Sequence, residues 1–417
     1  MSEIDTIWAH VDESGRLVLP EEVTVQYGLK SNAKVRIDRA DNYFRIRRPV
    51  SHLAKIYIEP TNQCNLECSM CLHRTWDEPK GQMSWQVFTS VLESVKRLSE
   101  MPSIFFGGLG EPLSHPQIIN MISQIKTLQG KVEIITNGTL LDENCARQLV
   151  EIGLDRIWIS IDGATSESYA DIRLGAALPE VLGNVKKLKR LRSGGHFPKP
   201  EIGIVFVAMK RNIFELPAVI KLGRKLGAKH FLVTNVLPYA DETQDEMLYR
   251  RSLRNITYLQ SNWFPQLNFP KMQVDEHMRQ SFFEALNSGC NVTFAGHDLG
   301  GTNDVCTFID SGSITIAWDG TVSPCPPLSH NHQSYLHNKP HYSRRYVLGN
   351  IKVCNLFDLW NDSDYVAYRQ RVQQFAFAPC TACGGCDLSE KNEEDCYGNN
   401  FPACGSCLWA QGVIQCP

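Results

Sequence analysis

Cys64, Cys68 and Cys71 lie in the run Glu59-Pro-Thr-Asn-Gln-Cys64-Asn-Leu-Glu-Cys68-Ser-Met-Cys71, with three and then two residues between thiols. That spacing supplies three ligands for a four-iron cluster and leaves one iron without a protein ligand. An open iron is a site for chemistry, whereas full thiolate ligation makes an electron store. The run follows a predicted strand, 55–59, so it sits on a loop at a strand's C-terminal end, where barrel folds build active sites.

The other cysteines are unevenly spread. The chain has fifteen, ten of them between Cys306 and Cys416. No apolar run reaches the ~18 residues of a membrane span and no signal-peptide core opens the chain, so a cytoplasmic, reducing setting is expected, with metal rather than disulfides. Cys306, Cys325, Cys380, Cys383, Cys386, Cys396, Cys404, Cys407 and Cys416 are candidate metal ligands, enough for two four-iron clusters with one to spare. Dense Cys-x-x-Cys pairs also suit zinc; beside the triplet, iron is the favoured reading. Cys145, Cys290 and Cys354 read as small buried hydrophobes. His330, His332, His337 and His341 crowd one loop, read as solvated, flexible or substrate-facing rather than as a metal site.

The elements that must position these groups follow from periodicity. Strands are predicted over 55–59, 102–107, 131–136, 156–161, 201–207 and 230–236, with helices over 85–100, 117–128, 177–191 and 216–226 among those between them. Alternating β and α elements imply a parallel sheet with helices outside, and six units make a partial (β/α)6 barrel of the TIM type. Residues 1–50 differ: four short strands surround one helix, and seven of their eight basic side chains fall between Lys30 and Arg48. The predicted organisation is therefore a small β module (1–50), the α/β partial barrel (51–245), a helical connection (246–300) and a cysteine-rich region (301–417) organised by metal. The net charge of −3 gives no reason for bulk attraction to nucleic acid.

The triplet resembles the signature of the radical SAM superfamily. Phe105-Phe-Gly-Gly-Leu-Gly-Glu-Pro112 at the end of the second strand resembles the motif whose backbone holds the amino group of S-adenosylmethionine (SAM). The resemblance implies roles for Gly107, Gly108 and Glu111 there, and for Asn137 at the end of the third strand. It implies that Ser160 and Asp162 face the ribose, that Arg173 pairs with the SAM carboxylate, and that Val205 packs on adenine. Met70 stands where an aromatic residue often precedes the third cysteine. The C-terminal cysteines resemble the SPASM extension, although Cys386 comes early and Cys396 late. The resemblance implies three [4Fe-4S] clusters, one binding SAM and two auxiliary.

Gly15-Arg-Leu-Val-Leu-Pro-Glu-Glu…Gly28-Leu-Lys-Ser-Asn-Ala-Lys-Val-Arg-Ile37 resembles an AbrB/SpoVT-like swapped-hairpin module, read as a docking or homodimerisation unit rather than a DNA-binding one. With the tail Asn392-Glu-Glu-Asp-Cys396…Cys404-Gly-Ser-Cys-Leu-Trp-Ala-Gln-Gly, the chain resembles the maturases of tungsten-containing aldehyde:ferredoxin-type oxidoreductases. That family implies work on the tungstopterin cofactor or its enzyme, with reduced ferredoxin or flavodoxin as electron donor. A peptide-modifying maturase forming thioether or carbon–carbon crosslinks is the alternative. A DNA-binding regulator sensing through its clusters is the remote one.

Overall fold

The computed structural model describes residues 7–39, 44–192, 198–250, 253, 265–270, 272, 275–286, 290–294, 297–299, 305–383 and 386–417. Its N-terminal part contains β1 (His10–Val11), β2 (Leu17–Val18), the helix Glu21–Gln26, β3 (Ile37–Arg39) and β4 (Phe44–Ile46), as the alternation predicts. These form two separate antiparallel ladders, β1 with β2 and β3 with β4. Trp8, Val11, Leu17, Val25, Tyr27, Ile37 and Phe44 are exposed, so the module presents its apolar side chains outward. Four of its basic residues, Lys30, Arg36, Arg47 and Arg48, are paired within the protein, while Arg16, Lys34, Arg39 and Arg45 are exposed. Lys30 pairs with Glu100 at 2.8 Å, Arg47 with Asp38 and Asp310, and Arg48 donates to Gln26 O. Guanidinium groups committed this way are poorly placed to contact phosphate.

The barrel strands are β5 (Lys55–Ile58), β6 (Ser103–Phe106), β7 (Val132–Thr136), β8 (Arg156–Ser160), β9 (Glu201–Ala208) and β10 (Ala228–Asn235). Each pairs in parallel with the next. Helices at Trp85–Lys96, Ile118–Thr127, Glu143–Glu151, Leu178–Leu191 and Leu216–Lys225 cover the outside. Period-two alternation divides each strand. On β5, Ile56 and Ile58 enter the main apolar core under the helices, while Tyr57 joins Phe105, Trp158 and Val205 in a second cluster inside the barrel. A side chain at a lumen position is therefore fixed by its strand register, and the residues just past each strand end surround one mouth.

Of residues 246–300, the described parts form β11 (Gln266–Phe269), the helix Glu276–Leu286, β12 (Asn291–Phe294) and β13 (His297–Leu299), a three-stranded sheet in place of the expected helical connection. The rest of that stretch lies outside the described residues. The region from 301 also departs from expectation. Its β14 (Ser313–Ile316) pairs in parallel with β5, and β15 (Thr321–Ser323) and, past the hairpin of β16 (His332–Leu336) and β17 (Lys339–Ser343), β18 (Gly349–Asn350) extend the barrel sheet to nine strands. Ile314 and Ile316 are wholly buried against the barrel core, so apolar packing as well as thiols organises this region. Cys354, expected to be buried, is exposed, because Ile351–Cys354 is a turn before a helix capped by Asn355. Cys145 and Cys290 are half-buried. Among the described residues, no helix is long and apolar enough to cross a membrane.

Two C-terminal helices, Leu356–Asn361 and Ser363–Gln374, grip the segment that leads into the barrel. Arg369 is fully buried; it donates to Val50 O at 2.9 Å and Trp360 O at 2.7 Å, and lies 3.8 Å over the Trp360 ring. Trp360 Nε1 in turn donates to Ser51 O at 2.8 Å. Replacing Arg369 with Ala strands two buried carbonyls and empties a cation–π site, a loss of about 3 kcal/mol. Differential scanning fluorimetry should show an apparent melting point several degrees lower for Arg369→Ala, and an unchanged one would mean that the grip is not structural.

Candidate iron–sulfur and SAM site

The loop after β5 gathers the three thiols. Ser69 N donates to Ile172 O at 2.9 Å and Glu67 N to Leu174 O at 3.1 Å, which ties the loop to the segment after β8. Burial pushes the Cys71 thiol up to about 11, with Cys68 and Cys64 adding repulsion, and raises Cys64 for the same first cause. Three crowded, desolvated thiols become thiolates only beside compensating positive charge, which bound iron provides. One such charge is already present. Arg173 is buried with its Nη1 4.0 Å from Cys68 Sγ and its Nε 2.6 Å from Asp162 Oδ2. Desolvation opposes its charge, but Asp162 and Cys68 outweigh that and hold it protonated. The Tyr169 hydroxyl is buried beside Arg173, Asp162 and Cys68 and has no hydrogen-bond partner among the described residues. An orphaned donor there fits a site whose occupant brings acceptors.

The glycine-rich loop after β6 lies against the same mouth. A Cβ on Gly108, at φ +147°, would come within 2.6 Å of Glu59, and one on Gly110 within 2.3 Å of Thr61 O. Only glycine allows the two loops to approach so closely. Gly107 and Gly108 line a cavity of ≈ 190 Å³. Glu111 turns away from it: Leu113 N donates to Oε1 at 3.0 Å and Asn137 N to Oε2 at 2.8 Å. Burial raises its pKa although these amides favour the charged form. Asn137 clasps the triplet loop through Nδ2 to Asn65 Oδ1 at 2.9 Å. Asp162 spends Oδ1 on Val207 N (2.7 Å) and Oδ2 on Arg173. Ser160 is buried at the end of β8, and Val205 packs with Tyr57, Phe105 and Trp158. The structure thus brings the sequence candidates together, with Glu111, Asn137 and Asp162 holding loops rather than presenting free groups.

Sequence reasoning passed over Glu59, Tyr169, Tyr239 and the meaning of His330. The histidine-rich segment is no solvated loop: its β16–β17 hairpin leaves His330, His332 and His341 buried. His330 Nε2 meets Glu59 Oε2 at 2.8 Å and its Nδ1 meets Glu78 Oε2 at 3.3 Å. Desolvation opposes a charge on His330, but the two carboxylates outweigh it and raise its pKa. Burial instead lowers His332 to about 4. The carboxylate of Glu59 also accepts from Leu109 N at 3.0 Å, so one side chain joins the glycine-rich loop to His330. The signal in the sequence was Glu59 itself, an acidic residue on the last lumen-facing position before the triplet.

The C-terminal thiols fall into two fours. Cys306, Cys325, Cys404 and Cys407 form a buried group; burial and mutual repulsion raise all but Cys407, which burial alone raises, and Cys404 reaches about 12. The Tyr368 hydroxyl lies 3.5 Å from Cys404 Sγ. Cys380, Cys383, Cys386 and Cys396 form the other; Cys380 is pushed to about 11 by burial, then by Asp395 and the other three thiols. Asp395 shapes that loop by accepting from Ala378 N at 2.9 Å and from Tyr397 N and Asn399 N at 3.0 Å. Among the described residues no three Cys, His, Asp or Glu side chains close to single-ion spacing, so these fours are looser than a one-metal site. Cys416 stands apart from both.

A half-barrel with a thiol triplet at its mouth and thiol fours beside it defines an iron–sulfur enzyme of the SAM-cleaving class. The chain belongs to the radical SAM superfamily, whose family model matches residues 58–198, and an iron–sulfur cluster-binding (SPASM) model matches residues 306–387. It is a radical SAM enzyme. It is 29% identical, over 87% of its length and 96% of the relative's, to the tungsten-containing aldehyde ferredoxin oxidoreductase cofactor-modifying protein of Pyrococcus furiosus. A probable GTP 3′,8-cyclase of Methanococcus maripaludis is 31% identical over 64% of this chain and 82% of its own. In fold the chain is similar to native anSMEcpe with bound AdoMet, at TM-score 0.53 and 19% identity, covering 86% of this chain and 96% of that one.

Two outcomes follow from the geometry. Gly110→Ala drives a methyl group into Thr61 O and Gln63 O and must shift one loop against the other. A displacement of that kind should slow 5′-deoxyadenosine formation about 100-fold with cluster iron unchanged; an unaffected rate would mean that the loops yield. His330 tests the sign of its ion pair. A raised histidine pKa gives stability that is complete below the ordinary imidazole value and is lost as pH rises through the raised one. The melting-point advantage of wild type over His330→Gln should therefore shrink as pH rises above the ordinary imidazole value of about 6.5. An advantage that grew with pH would show His330 to be buried neutral.

Proposed function

We propose that the enzyme acts in the maturation of a tungsten-containing oxidoreductase, on its tungstopterin cofactor or on the protein that receives it. The observation that supports this is the likeness to the Pyrococcus furiosus cofactor-modifying protein, which covers 87% of this chain and 96% of that one. Bound at the open iron of a reduced four-iron cluster, SAM supplies a 5′-deoxyadenosyl radical able to remove a hydrogen atom from substrate.

The protein's own residues bind, orient and enclose. Cys64, Cys68 and Cys71 are the proposed ligands of the SAM-binding cluster, with Arg173 offering its guanidinium group to the SAM carboxylate. The backbone of Gly107 and Gly108 faces the amino group, Ser160 the ribose and Val205 the adenine, while Glu111, Asn137 and Asp162 hold these loops in place. The two cysteine fours are the proposed auxiliary cluster ligands, making three clusters in all. Desolvated thiols beside Tyr368 suit a low-dielectric electron path from a reduced ferredoxin or flavodoxin. The exposed apolar side chains of the N-terminal module offer the client enzyme, or a second copy of the chain, a surface to dock on. The internal pairing of Lys30, Arg47 and Arg48 disfavours DNA as that partner.

Anaerobically reconstituted protein with dithionite and SAM tests the chemistry. About 12 irons per chain are expected on four-iron-cluster stoichiometry. 5′-Deoxyadenosine should form with wild type and not with the Cys64/Cys68/Cys71→Ala variant. About eight irons would mean that one four is not a cluster site. Purifying the tungsten oxidoreductase from cells with and without this gene tests the assignment: full activity without it would overturn the maturation reading while leaving SAM cleavage intact.

A further inference from the structure

The half-barrel is crossed by its own tail. Asn235 Nδ2 donates to Val413 O and Thr234 Oγ1 accepts from Gln415 N, both at 2.8 Å, which pins the segment to β10. Farther on, Lys55 Nζ and the Tyr57 hydroxyl, both from β5, donate to Pro417 O at 2.8 and 3.0 Å. Held at both ends, residues 413–417 run across the lumen and bring Cys416 to the wall of the cavity that Gly107 and Gly108 also line. The thiol is enclosed by protein yet open to the cavity space. Its Sγ accepts from Trp409 Nε1 at 3.3 Å.

Two observations separate this thiol from the cluster ligands. Both cysteine fours are complete without it, although Cys407 is near enough to bear on it electrostatically. Leu72, the residue after the last thiol of the triplet, and Tyr239 line the same cavity as Cys416, so the space lies beside the triplet loop. An independent sign that the cavity takes a ligand comes from Thr315. Its side chain is 4% exposed and lines the same space, and its Oγ1 has no hydrogen-bond partner among the described residues. A polar occupant would satisfy it.

We propose that Cys416 is a hydrogen-atom donor in the reaction cavity, not a ninth cluster ligand, a role that rests on the SAM-cleaving reading above. A carbon-centred radical, on substrate or on the 5′-deoxyadenosyl group when substrate is absent, takes the hydrogen atom. The S–H bond breaks, a C–H bond forms and a thiyl radical remains. One electron from the low-potential donor that also drives SAM cleavage, with one proton from water, restores the thiol. The S–H bond is weaker than the C–H bond it makes, so the transfer runs downhill. The hydrogen delivered is therefore one that exchanges with solvent.

The test uses cluster-replete full-length protein in D2O with SAM and dithionite, compared with Cys416→Ser. Wild type should release 5′-deoxyadenosine carrying one solvent deuterium. Cys416→Ser should keep the wild-type iron content while its 5′-deoxyadenosine falls to natural-abundance deuterium. Iodoacetamide applied to the holoenzyme should alkylate Cys416 while leaving the two fours protected. A variant that loses one cluster's iron, or a wild-type Cys416 that resists alkylation as the fours do, would make it a ligand and overturn the proposal. Retained deuterium in an iron-replete variant would assign the donor elsewhere. Wild type that forms no 5′-deoxyadenosine would instead sink the SAM-cleaving reading, and this inference with it.

Discussion

Thiolates withdrawn from water are the constraint around which this protein is organised. Burial raises Cys64, Cys71, Cys306, Cys325, Cys380, Cys404 and Cys407, and neighbouring thiols push all of these but Cys407 further in the same direction. The apoprotein must therefore keep these groups protonated or supply positive charge. Near the triplet it offers one guanidinium group, Arg173, already paired with Asp162. Iron is the missing counter-charge, and loading the clusters is in this sense part of folding. The two fours differ in how dry they are. Cys306, Cys325, Cys404 and Cys407 lie under Tyr368 and the barrel core, whereas Cys383, Cys386 and Cys396 are exposed. A drier cluster site resists change in net charge more strongly, so the clusters proposed for the two fours would differ in potential.

Glu59 shows how the barrel and the cysteine-rich region are made to depend on one another. It is the residue just after β5 and faces the mouth. One oxygen fixes the glycine-rich loop through Leu109 N, and the other meets His330, which arrives from the far end of the chain together with Glu78. Trp76 packs edge-on to both His73 and His330 and donates to Asn331 O at 3.0 Å. The SAM-facing loop is therefore braced from the C-terminal region, and its placement is not a property of the barrel alone.

Most of the barrel was legible because its strands are short apolar runs and its helices carry apolar faces, patterns that need no tertiary information. What escaped was whatever depends on partners far away in sequence. β14 is only Ser313–Ile316 and becomes recognisable when β5 lies beside it. His330 looks like one of four histidines in a polar segment until the hairpin delivers it to Glu59. Spacing marked the C-terminal cysteines as candidates but could not group them, since Cys306 and Cys325 are joined by Cys404 and Cys407 from across the cysteine-rich region while the intervening Cys380–Cys396 segment forms its own group. For Glu111 and Asp162 motif likeness pointed to ligand contacts, whereas backbone amides take up both oxygens of Glu111, and Val207 N and Arg173 take up those of Asp162.

The open side of the sheet completes the logic. Its strand order runs from β10 at one edge to β18 at the other without closing, which leaves the lumen open on one side. Residues 413–417 cross the lumen, held by the side chains of Thr234 and Asn235 on β10 and of Lys55 and Tyr57 on β5. Lys55, pulled down to about 8 by burial, spends its charge on that tail rather than on the cavity. The same segment also carries Trp409 and Cys416 to the wall. A tail that crosses the lumen also furnishes part of the cavity wall, so its thiol is in place only when the tail is seated. Chemistry at the mouth is thereby made conditional on the C-terminal region being folded, which in turn requires its thiols to be charge-compensated.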